Sequence, residues 1–168
     1  MLPKVYCDLD EVLADFKGGW KEFTGQDVDR WLKITSDDWG YLKKQWPTFW
    51  MDLEFVPFAL ELWKAIAPYD PDILTARPES WVTASVGKSV WVREYLSGAP
   101  KVICVMRSEK KNYAKQKDGT PNILIDDKER NITEWAAAGG RGIQYIPSSS
   151  AVSRVVRIIE AHMAQYGD

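Results

Sequence analysis

The sequence predicts a doubly wound α/β domain built on a mainly parallel sheet, and three observations carry that expectation. Five short apolar segments, 4–9, 72–75, 101–106, 123–125 and 142–146, have the length and branched side chains of buried strands. Helical patterns separate them, and strands alternating with helices imply right-handed βαβ units with both sheet faces covered. Acidic residues close two of the segments, in Val5-Tyr6-Cys7-Asp8-Leu9-Asp10-Glu11-Val12 and in Ile123-Leu124-Ile125-Asp126-Asp127. The crevice outside the carboxyl ends of parallel strands is where such a fold receives its ligand.

Taken in order, the first strand, Lys4 to Leu9, runs into Asp8 and Asp10. The stretch from there to Asp72 is too long for a simple crossover, so it holds an insertion. A helical piece over Asp27 to Ile34 comes first, then Ser36-Asp37-Asp38 as N-cap of a helix over Trp39 to Trp46, with Pro47 and Pro57 as punctuation. We expect a small helical cap over 16–67 and a core made of 1–15 and 68–168. Five of the nine tryptophans (Trp20, Trp31, Trp39, Trp46 and Trp50) fall between residues 20 and 50, most of them as packing residues. After the strand Asp72 to Thr75, the pattern from Pro78 to Leu96 places Trp81, Val82, Val86, Val90 and Tyr95 near helical spacing. The strand Lys101 to Met106 leads into the charged run Ser108-Glu109-Lys110-Lys111. The strand Ile123 to Ile125 precedes a helix and its turn within Asn131 to Gly142, marked by Trp135 and Gly139-Gly140. The last strand, Gly142 to Ile146, is followed by a helix over Ala151 to Tyr166 with Val152, Val155, Val156, Ile159 and Met163 on one face and His162 at the surface.

Composition bounds the function. In 168 residues, 45% apolar and 27% charged, there is material for one domain with an ordinary core. The 22 basic against 24 acidic side chains leave a net charge of −2, so binding of extended nucleic acid is not expected. Cys7 and Cys104 sit in apolar runs and read as buried hydrophobes of a reducing compartment, not as a disulfide or metal frame. The single histidine, His162, excludes chemistry that needs a histidine beside a serine or cysteine nucleophile, and histidine-bound zinc. No stretch approaches the ~18 apolar residues of a membrane span, and a cytoplasmic protein without membrane contact is expected. Whether two copies pair as a homodimer is left open.

The chemistry follows from convergence. Asp8, Asp10, Asp126 and Asp127 meeting in one crevice are unfavourable unless a cation neutralises them, and an all-oxygen set suits Mg²⁺. A third strand, Ile73-Leu74-Thr75-Ala76-Arg77-Pro78, ends with a hydroxyl and a cation fit for phosphate oxygens, and a lysine of 110–111 can reach the same place. These groups are what phosphoryl transfer through an aspartyl-phosphate needs. The bland alternatives are capping acids for the aspartates and a solvated face for the lysines; Asp15 is left as a capping or solvated acid.

Asp8-Leu9-Asp10-Glu11-Val12, Thr75, Lys110 and Asp126-Asp127 stand in the order of the four motifs of haloacid dehalogenase superfamily phosphatases, and the resemblance covers the whole chain. Within that superfamily, Asp8-Leu9-Asp10-Glu11-Val12-Leu13-Ala14-Asp15-Phe16, Phe49-Trp50-Met51-Asp52-Leu53-Glu54 and Leu124-Ile125-Asp126-Asp127 resemble the 5′(3′)-deoxyribonucleotidase family. The resemblance implies a Rossmann-like three-layer α/β/α core with a five-stranded parallel sheet and a small helical cap inserted after the first strand. It implies Asp8 as nucleophile, and Asp10 as the acid that protonates the leaving oxygen and then activates water. Mg²⁺ would be held by the carboxylates of Asp8 and Asp126 and the carbonyl of Asp10, with Asp127 orienting the metal shell. Thr75 and a lysine would steady the phosphate; the spacing before Tyr113-Ala114 favours Lys110 over its neighbour Lys111. Phe16, Phe49 and Trp50 match positions lining the nucleoside pocket, and Ala76, Arg77, Lys111 and Lys128 neighbour motif residues as candidate contacts to phosphate or sugar. The implied substrate is a nucleoside monophosphate. Two departures stand out: Glu11, where that family commonly has glycine, and a cap shorter than usual. The competing readings are another small phosphate ester, a polynucleotide 3′-phosphate, or a catalytically silent nucleotide-binding protein.

Overall fold

The computed structural model describes residues 1–28 and 33–167. Five strands, β1 (Val5–Cys7), β2 (Asp72–Ala76), β3 (Val102–Val105), β4 (Ile123–Asp126) and β5 (Arg141–Gln144), form a parallel sheet in the order β3-β2-β1-β4-β5. Each expected strand is present, its ends moved by a residue or two. The described helices are α1 (Phe16–Thr24), α2 (Ser36–Gln45), α3 (Ala59–Ile66), α4 (Ala84–Tyr95), α5 (Glu129–Ala137) and α6 (Ser149–Met163). Trp31, and with it the middle of the helical piece expected over 27–34, lies outside the described residues.

The pleat sorts the strand residues into two cores. Val5, Cys7, Ile73, Ile123, Ile125 and Ile143 pack with Leu62, Trp63 and Ile66 of α3, Trp91 and Val92 of α4, and Val155 and Ile159 of α6. Leu74 and Leu124 fall on the other face, against Trp135 of α5 and Ala114. Both faces are thus covered, as a parallel sheet requires, and the result is the three-layer α/β/α core that the sequence predicts. The chain leaves β1 for β2 and β3 on one side and then crosses to β4 and β5 on the other. The topological switch point therefore lies at β1 and β4, the two strands that end in aspartates.

Several expectations are corrected. The helix predicted from Pro78 begins only at Ala84; residues 78–83 form turns, with the Trp81 N–H donating to the Pro78 carbonyl. Its predicted face is also rotated: Val82, Val86 and Tyr95 are exposed, and Ala84, Gly87, Lys88, Trp91 and Val92 point inward. The cause is Lys88, which a polarity pattern places outside and which the fold buries in an ion pair. His162 is not a surface residue; it is buried, with Nε2 3.1 Å from the Pro121 carbonyl and its ring against Tyr166. The N-cap of α2 is Thr35, which forms a capping box with Asp38. Cys7 is buried but Cys104 only partly so, and both are free thiols.

Within the insertion, Asp15 caps α1 by accepting from the Gly18 N–H at 2.8 Å. Phe16, Trp20, Trp39, Phe49, Trp50 and Trp81 form one aromatic cluster, with ring centres 5.0–6.4 Å apart. For Trp20, Trp39 and Trp50 the crowding is thereby explained as the core of the insertion. Helix α3 packs against α6 in the outer layer of the sheet, and the boundary expected at 67/68 falls within the 3₁₀ turn Ala67–Tyr69 that follows it. No described helix is long and apolar enough to cross a membrane.

Candidate active site

The carboxyl ends of β1, β2 and β4 open into a cavity of about 740 Å³, roofed by the insertion. The backbone after β1 explains how Asp8 and Asp10 come to stand at its floor. The Leu9 carbonyl gathers the N–H groups of Val12, Leu13 and Ala14, curling the chain into a tight loop. Glu11 occupies the left-handed region of that loop, at φ 63°, where glycine carries no penalty. Its side chain compensates by accepting from the Lys17 N–H at 2.7 Å, which ties α1 to the loop. Glu11 thus takes a backbone position suited to glycine and serves as a tether.

Asp8 is buried, and its Oδ1 accepts from the Leu9 N–H and from the Lys110 ammonium, both at 2.8 Å. Lys110, on the 3₁₀ segment Arg107–Tyr113, also donates to Asp126 Oδ2 at 2.8 Å, so one buried cation bridges two buried carboxylates. Asp126 is held further by both Asn131 contacts, 2.9 and 3.0 Å, and by the Lys128 N–H at 2.9 Å. Carboxylate oxygens of Asp8, Asp126 and Asp127 lie within 4.8 Å of one another, a set that could hold a metal ion. Their crowding is visible electrostatically. Burial, then the charge of Asp8, raises the Asp126 carboxyl to about 6; burial, then Asp8 and Asp126, raises Asp127 to about 7. Burial by itself would lower the Lys110 ammonium, yet Asp8 and Asp126 outweigh it and hold the group well above its ordinary value. Oδ1 of Asp127 is buried and, among the described residues, has no hydrogen-bond partner. An orphaned carboxylate oxygen in an all-oxygen cluster is the donor set a hard divalent cation fits.

The expected site residues divide as follows. Asp8, Asp10, Phe16, Trp50, Ala76, Arg77, Lys110, Asp127 and Lys128 line the cavity. Thr75 and Asp126 are fully buried just behind it. Phe49, expected in the pocket, is fully buried behind the aromatic wall, with its ring edge-on to Trp50. Lys111 is exposed and lies outside the lining, whereas Lys110 is buried at the cluster. Trp39, Arg107, Asn131 and Lys88 join these residues at the site without being marked out by the sequence pattern. Trp39 lines the cavity and stacks on Trp50 at 5.9 Å. Arg107 reaches it while bonded to Asn131 and Glu134. Asn131 carried a signal, since it lies one helical turn after Asp127, where it can reach back to the strand end.

No family model matches the sequence, and no curated protein matches it. Solved structures do share the fold. A haloacid dehalogenase family hydrolase from Deinococcus radiodurans, with bound phosphate and sodium, superposes with a TM-score of 0.52 at 16% identity, over 99% of this chain and 96% of that one. A haloacid dehalogenase-like hydrolase from Burkholderia xenovorans gives 0.53 at 13% identity, over 95% and 96%. L-2-haloacid dehalogenase from Xanthobacter autotrophicus gives 0.50 at 12% identity, over 96% and 88%. The chain therefore has the haloacid dehalogenase-like fold from end to end.

Proposed function

We propose that the protein is a Mg²⁺-dependent phosphomonoesterase of the haloacid dehalogenase type, acting on nucleoside monophosphates through an aspartyl-phosphate on Asp8. The observation that carries the reading is the Asp8–Lys110–Asp126 bridge beside Asp127, at the floor of a cavity whose walls are aromatic on one side and cationic on the other. Neighbours of this fold include both a phosphate-bound hydrolase and a dehalogenase, so fold does not choose the chemistry. Asp10 favours an oxygen leaving group, because an alkoxide needs a proton to depart and a halide does not.

Both of the bonds accepted by Asp8 fall on Oδ1, which leaves Oδ2 as the attacking oxygen among the described contacts. Attack forms the Asp8 oxygen–phosphorus bond and breaks the bond from phosphorus to the leaving oxygen, which takes its proton from Asp10. In the second half Asp10 accepts a proton from water, whose oxygen displaces Asp8 and yields phosphate. Lys110 holds Asp8 in place and balances charge as it grows on the phosphoryl group. Arg77 and Lys128, at the ends of β2 and β4, are placed to take phosphoryl oxygens. Asp8, Asp126 and Asp127 would hold the cation, which supplies charge neutralisation and polarises the phosphoryl oxygens when bound.

Phe16, Trp39 and Trp50 make the wall on which a nucleobase would stack. A cavity of about 740 Å³ is of the size that encloses a small ligand. A phosphorylated oligonucleotide end is the second reading, favoured by Arg77, Arg107 and Lys128, three cations among the cavity-lining residues. Rates of phosphate release from a nucleoside 5′-monophosphate, a sugar phosphate and a 3′-phosphorylated oligonucleotide separate the readings. The proposal expects the mononucleotide to lead; preference for the sugar phosphate overturns the assigned substrate, and preference for the oligonucleotide moves it to the second reading.

A further inference from the structure

Lys88 is fully buried in α4, away from the Lys110 bridge. Its ammonium donates to Asp10 Oδ2 and, at 3.1 Å, to Thr75 Oγ1, and it lies 4.3 Å from the centre of the Trp50 ring. A cation so enclosed is stable only when paired and hydrogen-bonded, and here the carboxylate, the hydroxyl and the π-face share that task. Gly87 makes the approach possible: a Cβ there would come within 2.8 Å of the Trp50 Cβ. The contact also divides the Asp10 carboxylate. Oδ2 is taken by Lys88, whereas Oδ1 is buried and, among the described residues, has no hydrogen-bond partner.

We infer that Lys88 is the positioning residue of Asp10, holding Oδ2 so that Oδ1 is the oxygen that exchanges the proton. This rests on the phosphatase reading. In the first half-reaction the proton leaves Oδ1 for the leaving oxygen as the phosphorus–oxygen bond breaks and the Asp8–phosphorus bond forms. In the second, a proton of the attacking water returns to Oδ1 while the water oxygen bonds to phosphorus and the Asp8–phosphorus bond breaks. Only water is consumed. Lys88 does not line the cavity, so its effect on the proton passes through Asp10, whereas its contacts with Thr75 and Trp50 bear equally on both esters.

The test compares two esters that differ in their need for a proton: a nucleoside 5′-monophosphate, with an alkoxide leaving group, and p-nitrophenyl phosphate, whose phenolate departs largely without one. Lys88→Met keeps the side-chain length, and Lys88→Gln serves where the thioether variant fails to fold; circular dichroism checks both. For the nucleotide, kcat is expected to fall about a hundredfold with KM within about threefold, against a loss under about tenfold for p-nitrophenyl phosphate. The double variant Lys88→Met/Asp10→Asn should be no slower than Asp10→Asn alone, because both changes act on the same proton. Equal losses on the two esters, losses that multiply in the double variant, or unchanged turnover overturn the inference. Failure of the wild type to release phosphate from either ester with Mg²⁺ overturns the phosphatase reading, and the inference with it.

Discussion

Asp126 receives hydrogen bonds from Lys110, Asn131 and the Lys128 backbone, and it is fully buried. Removing Asn131 withdraws a donor that touches both of its oxygens and leaves buried lone pairs unsatisfied. We expect Asn131→Ala to destabilise the fold by about 2 kcal/mol, read from urea unfolding. The raised carboxyls make a prediction of definite sign. Asp126 and Asp127 titrate near 6 and 7 in the folded protein against an ordinary 3.8, so between those values the folded state carries protons the unfolded chain has released. Stability of the metal-free protein therefore falls as pH rises from about 4 to about 7, by roughly 5 °C or more in Tm. A thermal-unfolding series in EDTA checks this, and a Tm that rises across that window contradicts the charge crowding derived above.

Helix α4 is where reading by polarity pattern fails and where packing decides. The spacing of Val86 and Val90 points to a different face, but Lys88 turns inward to its ion pair with Asp10 and Gly87 turns with it, against Trp50. Gly87→Ala weighs two effects against each other. Alanine gains about 1 kcal/mol of helix propensity, and the 2.8 Å approach to the Trp50 Cβ costs about 1–3 kcal/mol of overpacking. We expect a net loss of about 1 kcal/mol; a stabilised variant shows that α4 can shift away from the insertion at little cost. Helix α2 contributes Trp39 to the wall, and Trp39→Ala should raise KM for nucleotides about tenfold with kcat held, as expected when stacking serves substrate and transition state alike. A loss confined to kcat places Trp39 in the packing of the insertion.

Across the whole molecule, the strand segments, the strand-end aspartates and the parallel topology were legible because apolar runs closed by acids report directly on a sheet and its ligand crevice. Motif order singles out Thr75 and Lys110, and the fold places Lys110 on Asp8 and Asp126 and Thr75 on the Lys88 ammonium that pairs with Asp10. Lys88, Arg107 and Trp39 were not found, since each takes its place through a tertiary contact that local pattern does not encode: an ion pair across helix and loop, a bond to α5, and a stack within the insertion. The switch-point cluster also couples metal to proton. Mg²⁺ requires Asp126 and Asp127 ionised, so it should raise Tm more at pH 7.5 than at pH 5. A shift independent of pH places the ion elsewhere. The most direct test of the account is phosphate release from a nucleoside 5′-monophosphate by the wild type and by Asp8→Asn, with Mg²⁺ and with EDTA. The account predicts Mg²⁺-dependent release by the wild type and none above the buffer blank by Asp8→Asn, whereas undiminished release by Asp8→Asn contradicts it.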